Sequence, residues 1–170
     1  AKSIKQGFFN PEQKEKLAQA VCQNYAKFGL VESVFFWAVK TRDTIFLSQA
    51  LKSTPTKNRQ ELIQQHNVLH QATHNPQALK DILELLPEDQ RLAAVQQKND
   101  FGDTVLHQAA GHPESLKTIL DSLPEDQRLE AVNQQDDLGY TVLHDAARHP
   151  ESLKTILDSL PEDQKLEVVQ

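Results

Sequence analysis

Apolar residues return along this chain in short helical bursts separated by polar, proline-marked breaks. The first burst is Leu17, Val21, Tyr25 and Phe28, spaced four, four and three apart, which predicts one apolar stripe on a helix. Asn10-Pro11-Glu12-Gln13 marks its start: Asn caps, Pro takes the first helical position, and Glu follows in the first turn. Gly29 is placed to end that helix in the left-handed conformation. Farther on, Val105 to about Ala110 predicts a short helix and Pro113 to about Leu123 a second. Leu129 with Val132, and Leu166 with Val169, predict the apolar edge of a short third helix. Ser122-Leu-Pro-Glu125, repeated as Ser159-Leu-Pro-Glu162, predicts a capping box where that third helix begins. Residues 1–9 read as a lead-in segment.

The bursts form a repeat. Asn99-Asp-Phe-Gly-Asp-Thr-Val-Leu-His-Gln-Ala-Ala110 returns as Asp136-Asp-Leu-Gly-Tyr-Thr-Val-Leu-His-Asp-Ala-Ala147, and a shortened form precedes both as Asn67-Val-Leu-His-Gln-Ala-Thr73. His70, His107 and His144 are 37 residues apart at each step. Gly at the fourth position permits the positive φ of a tight turn, Thr-x-Leu-His opens a helix, and the Ala pair lets a second helix approach closely. This pattern resembles the ankyrin repeat, whose consensus carries Gly-x-Thr-Pro-Leu-His-x-Ala-Ala. The resemblance implies an all-α solenoid in which each unit stacks on the next. Relative to the family pattern, Leu123 to Val132 is an addition and the turn between the first two helices is tighter, so the unit is 37 residues long.

On that reading, residues 1–33 are an N-terminal segment with a capping helix, and 34–66 are a degenerate ankyrin-like unit. Three further units follow at 67–98, 99–135 and 136–170. In the degenerate unit Val34-Phe-Phe-Trp-Ala-Val39 falls where Val68 to Thr73 falls in the next, and Phe35, Phe36 and Trp37 are expected to bury against the capping helix. The chain stops at Val169-Gln170, where another hairpin should begin, and contains no methionine; both suggest a piece truncated from a longer protein. A natural end capped by the short third helix is the alternative.

Composition narrows the function. No run of about 18 apolar residues is present, so no membrane-spanning helix is expected, and no Sec-type signal pattern opens the chain. The single cysteine, Cys22, excludes an internal disulfide framework and fits a reducing cytoplasm; it is expected to be an inert, partly buried thiol. Residues 1–60 carry 10 Lys+Arg against 4 Asp+Glu, whereas residues 61–170 carry 8 against 20. The acidic repeats would repel a phosphate backbone, so nucleic acid is not expected as a partner.

The candidate chemistry recurs too regularly to be catalytic. Ser115/Ser152, Asp121/Asp158 and Glu125/Glu162 return every 37 residues, as scaffold does, and no phosphate-binding loop, nucleophile elbow or dinucleotide fingerprint occurs. No enzyme activity, cofactor or metal is therefore expected within these residues. His70 and His74, spaced i, i+4, would share one helix face and invite a metal reading, but no thiolate cluster completes a zinc site. The ankyrin resemblance implies instead that His70, His107 and His144 are structural, bridging backbone groups of adjacent repeats. His112 and His149 precede prolines as helix-entry residues.

What varies between near-identical repeats is the surface. From Thr104 to Pro124 and from Thr141 to Pro161 the units differ only at Gln108/Asp145 and Gly111/Arg148, whereas the hairpin tips differ more. By resemblance, tips and first-helix faces line a concave surface that holds protein partners. Phe101, Leu138 and Tyr140 are the expected anchors, with Asp100, Asp103, Asp137 and Asp145 around them and Gln108 and Arg148 alongside. The acidic rim favours a partner with a basic surface. The expected state is a monomer. The Gln-rich variant repeats also resemble ankyrin-type effectors that intracellular bacterial pathogens deliver, by type IV secretion, into host cells; that likeness implies action in the host cytosol. Two other readings stand beside it. One is the targeting arm of an enzyme whose catalytic domain lies outside this chain; the other is a structural spacer that pairs through its C-terminal face.

Overall fold

The computed structural model describes residues 10–41, 43–65 and 67–166. Among them the regular structure is α-helical, with one isolated antiparallel bridge between Gln135 and Thr141. The chain divides into two compact units, Ala1–Pro55 and Thr56–Gln170. The break falls inside the stretch 34–66 read from sequence as one ankyrin-like unit.

The first unit holds α1 (Pro11–Ala26), α2 (Val31–Thr41) and α3 (Thr44–Ser53). Asn10 and Gln13 close a reciprocal cap: the Asn10 side chain accepts the Gln13 N–H at 2.8 Å, and Gln13 Oε1 accepts the Asn10 N–H at 3.0 Å. Gly29, at φ +68°, ends the turn beyond α1 as expected. The buried face of α1, however, is not the predicted stripe. Ala18 and Cys22 are fully buried, whereas Leu17, Tyr25 and Phe28 are exposed and Val21 is half-buried. Small side chains win the contact because they let α1 sit close against α2 and α3. Only Phe35 of the expected aromatic trio is buried; Phe36 and Trp37 are about half exposed, Trp37 meeting Phe46 edge-on at 5.3 Å. Asp43 caps α3 through the Phe46 N–H and pairs with Lys14 at 2.7 Å, tying α3 to α1.

The second unit opens with α4 (Thr56–Gln65) and continues as three helix triplets. These are α5 (Val68–Ala72), α6 (Pro76–Glu84) and α7 (Glu88–Gln96); α8 (Val105–Gln108), α9 (Pro113–Asp121) and α10 (Glu125–Asn133); and α11 (Val142–Ala146), α12 (Pro150–Ser159) and α13 (Glu162–Lys165). Like elements stack in columns: α5 on α8 on α11, α6 on α9 on α12, and α4 on α7 on α10. This is the nearest-neighbour architecture of a solenoid, and α4 takes a third-helix place in it. The second helices form because Pro fits the first helical position and Leu79, Ile82 and Leu83, then Leu116, Ile119 and Leu120, repeat at i, i+3, i+4 on the buried side. Each such side chain contributes about 1.5–3 kcal/mol when fully buried.

The expected capping boxes do not form. The third helices start at Pro87, Pro124 and Pro161, which offer no side-chain acceptor, and the serines bond backwards instead, Ser122 Oγ to the Ile119 carbonyl at 2.6 Å and Ser159 Oγ to that of Ile156 at 2.7 Å. Ser122 still has helical φ and ψ at the end of α9, so its hydroxyl lies over the preceding turn. Val169 of the expected third-helix edge lies outside the described residues, as do 1–9. Arginines staple the triplets together: Arg91 Nη1 donates to the Ser122 carbonyl and Arg128 Nη1 to that of Ser159, each at 3.1 Å.

Candidate interaction surface at the hairpin tips

Each hairpin is built around the side chain at its first position. Asn99 Oδ1 accepts the N–H groups of Phe101 at 2.9 Å and Asp103 at 3.0 Å; Asp136 Oδ1 does the same for Leu138 at 2.9 Å and Tyr140 at 2.8 Å. Backbone bonds from Asn99 N to Asp103 O and from Asp136 N to Tyr140 O close the loops. Gly102 and Gly139 then turn at φ +83° and +84°, a region that side-chain-bearing residues rarely enter. With its backbone groups used internally, the loop throws the second and third residues outward. Phe101 is 85 % exposed, Leu138 79 % and Tyr140 50 %. At that exposure neither Phe101 nor Leu138 is covered by a neighbouring hairpin.

The histidines fix these tips to the helices behind them. His107 Nε2 meets the Tyr140 carbonyl at 2.9 Å, so that nitrogen carries the proton and Nδ1 accepts the Thr104 hydroxyl at 2.7 Å. His70 Nε2 makes the same bond to the Asp103 carbonyl at 3.0 Å. Burial pushes the His70 imidazole below its ordinary pKa, against the Asp103 carbonyl and carboxylate, which pull it up. His144 is exposed; its Nδ1 accepts the Thr141 N–H at 3.1 Å, and its ring lies 5.3 Å from that of Tyr140.

The carboxylates fall into different roles. Asp100 and Asp145 are exposed; Asp103 is half-buried, its carbonyl held by His70. Asp137 is partly neutralised by Lys98 at 2.7 Å, a pair bridging successive hairpins. Asp136 loses solvation, which raises its carboxyl. The backbone N–H groups of Tyr140 and Leu138, the His107 ring and the Gly139 N–H outweigh that and hold it below the usual carboxylate range. Gln108 is half-buried and Arg148 exposed, both on the first-helix side of their repeats. The predicted residues therefore occupy two successive hairpins and the segments that follow them. Lys98, Asn99 and Asp136 were not singled out from sequence, although the Asn99/Asp136 recurrence at 37 residues is a readable signal for the loop-building bond.

His70 and His74 do not share a helix face. α5 ends at Ala72, so His70 points into the array while His74 lies in the exposed turn, its ring 4.6 Å from that of His112 in the next triplet. Among the described residues no three His, Cys, Asp or Glu side chains converge as metal ligands. A groove of about 480 Å3 between α6 and α9 is lined by Lys80, Lys117, Glu114 and Asp121. Its charges are internally matched, Lys117 to Asp121 at 2.6 Å and Lys80 to Glu84 at 3.9 Å. No described helix is long and apolar enough to cross a membrane.

Stacked helix columns, left-handed glycines at the hairpins and histidines bonded to the next hairpin's carbonyl define a helical repeat array. The family described as ankyrin repeats (3 copies) matches residues 69–167, and the chain belongs to it. No curated protein and no solved structure matches this chain. Ankyrin repeats are in general protein–protein interaction modules, and their domains are typically non-catalytic.

Proposed function

We propose that this chain recognises a protein partner through the tips of the hairpins at 99–103 and 136–140 and the first-helix faces beside them. The observation that carries this is the exposure of Phe101 and Leu138 on loops held by internal hydrogen bonds to the Asn99 and Asp136 side chains. Rigid, apolar and solvent-facing, such residues are suited to be anchors, since little ordering entropy opposes their burial. Asp100, Asp103, Asp137 and Asp145 give the rim a negative sign, with Arg148 as a counterpoint, and a basic partner surface complements it. The units 34–66, 67–98, 99–135 and 136–170 are the reading of the array that goes with this surface, and a monomer suffices for it. The reading as a bacterial effector acting on a host protein rests on the texture of the Gln-rich repeats alone.

Capture from eukaryotic cell lysate tests the surface. A protein retained by the wild-type chain and lost with Phe101→Ala/Tyr140→Ala, at unchanged helical content, supports the proposal. Equal retention by the double variant moves the binding site elsewhere.

A further inference from the structure

The turns that join first helices to second helices carry a group of histidines separate from the hairpin tips. His74 lies in the turn between α5 and α6, and His112 is the residue from which α9 starts. Their rings are 4.6 Å apart and nearly perpendicular, at 87°. His74 is exposed and His112 half-buried. His70 and His107 spend a ring nitrogen on the next hairpin's carbonyl, whereas the rings of His74 and His112 have no hydrogen bond or ion pair among the described residues.

The pair also does not recur with the repeat. A step of 37 residues carries His112 to His149, but it carries His74 to Gly111 and then to Arg148. His149 lies against Gly111 much as His112 lies against His74: a Cβ at Gly111 would be 3.7 Å from His149 Nε2. The histidine that opens the second helix therefore belongs to the scaffold, and its partner at position 74 does not. Paired imidazoles with unused nitrogens suit an anion when protonated and a transition metal when neutral. Desolvation of His112, with the charges of His74 and His149 beside it, holds that ring below its ordinary pKa and so neutral at physiological pH. A neutral imidazole offers a lone pair that favours borderline divalent ions over calcium or magnesium.

We propose that His74 and His112 bind one divalent transition-metal ion, of the zinc, nickel or copper class, as a bridge between the first and second helix triplets. Rotation about χ2, which is broad in histidine, lets the exposed His74 present a nitrogen to an ion held by His112. No third His, Cys, Asp or Glu among the described residues converges there, so water fills the remaining positions and the site is open and exchangeable.

Calorimetric titration of the metal-free full chain with zinc chloride, and separately with nickel chloride, tests this. One equivalent should bind in the micromolar range at about pH 7.5, and more weakly at about pH 5.5, where protons compete for the imidazoles. His74→Gln and His112→Gln should each weaken binding by about tenfold or more, a loss that even the outer partners of a metal site cause. His149→Gln should bind as the wild type does. Gly111→His, at unchanged helical content, should add a second equivalent by pairing with His149. Zinc should raise the melting point of the wild type and leave that of His74→Gln unchanged, since only the bridged pair ties the triplets together. Absence of saturable binding, wild-type affinity in His74→Gln or His112→Gln, equal melting shifts, or a single equivalent in Gly111→His overturns the proposal.

Discussion

His107→Ala and His144→Ala are the same substitution at equivalent positions of two repeats, and the structure predicts different costs. His107 is buried, with its Nε2 proton on the Tyr140 carbonyl and its Nδ1 on the Thr104 hydroxyl. Truncation removes two hydrogen bonds worth about 1 kcal/mol each, strands a buried threonine hydroxyl, and leaves a ring-sized gap. The sum is about 2–4 kcal/mol. His144 is exposed and bonded through one nitrogen to Thr141, groups that water can replace. Its removal should cost less than about 1 kcal/mol. Urea unfolding followed by circular dichroism measures both, and a companion thermal scan should show His107→Ala lower by roughly 5–15 °C. Equal losses for the two variants, or a loss below about 1 kcal/mol for His107→Ala, would refute the claim that the ring-to-carbonyl bond ties one repeat to the next.

Three further outcomes follow from local geometry. Gly139→Val should cost more than about 1 kcal/mol from its positive φ alone, since nothing crowds that position; Gly102→Ala should cost more than Gly139→Ala, because its methyl would also collide with the Asp137 carboxylate. Differential scanning fluorimetry ranks the three, and an unchanged melting point for Gly139→Val would show the hairpin conformation to be wrong. Cys22, buried and pushed up to about 11 by desolvation, should resist a thiol reagent in the native chain at pH 8 and react on unfolding. Finally, His70 and His112 both titrate below 6.5, chiefly through desolvation, with His74 and His149 adding repulsion at His112. Below that pH the unfolded chain binds more protons than the folded one, so their contribution is full above about 6.5 and lost on acidification. A melting point that falls less steeply between pH 6.5 and 5 in His112→Gln than in the wild type would agree; identical profiles would not.

Much of the array is legible in the sequence because periodic features report local physics. The 37-residue spacing of His70, His107 and His144, the prolines that open second helices, and Gly102 and Gly139 each encode a backbone requirement. Each feature appeared at its expected place, but only His70 and His107 bridge to the next hairpin as expected; His144 is exposed and, among the described residues, bonds to Thr141 of its own unit. What failed was decided by neighbours. The stripe on α1 was read from the spacing of Leu17, Val21, Tyr25 and Phe28, yet close approach to α2 and α3 favours Ala18 and Cys22. The serine before Leu-Pro-Glu has the composition of a cap, yet its backbone is still helical and its hydroxyl turns back. Phe36 and Trp37 looked like core because they are large and apolar, but both stay about half exposed, Trp37 with one edge against Phe46 of α3. At the hairpins the exposed anchors were readable as differences between repeats. The Lys98–Asp137 pair was not, because it joins residues 39 apart whose proximity only the stacking creates.

The most direct test of recognition by the hairpin tips is photo-crosslinking in eukaryotic lysate. A photoreactive phenylalanine analogue is placed at Phe101, at Leu138, or at the exposed Lys154 on α12 as a control. The same protein should be crosslinked from positions 101 and 138, with little or none from 154. Adducts of equal yield from all three positions, or from 154 alone, would contradict a partner site on the hairpin tips.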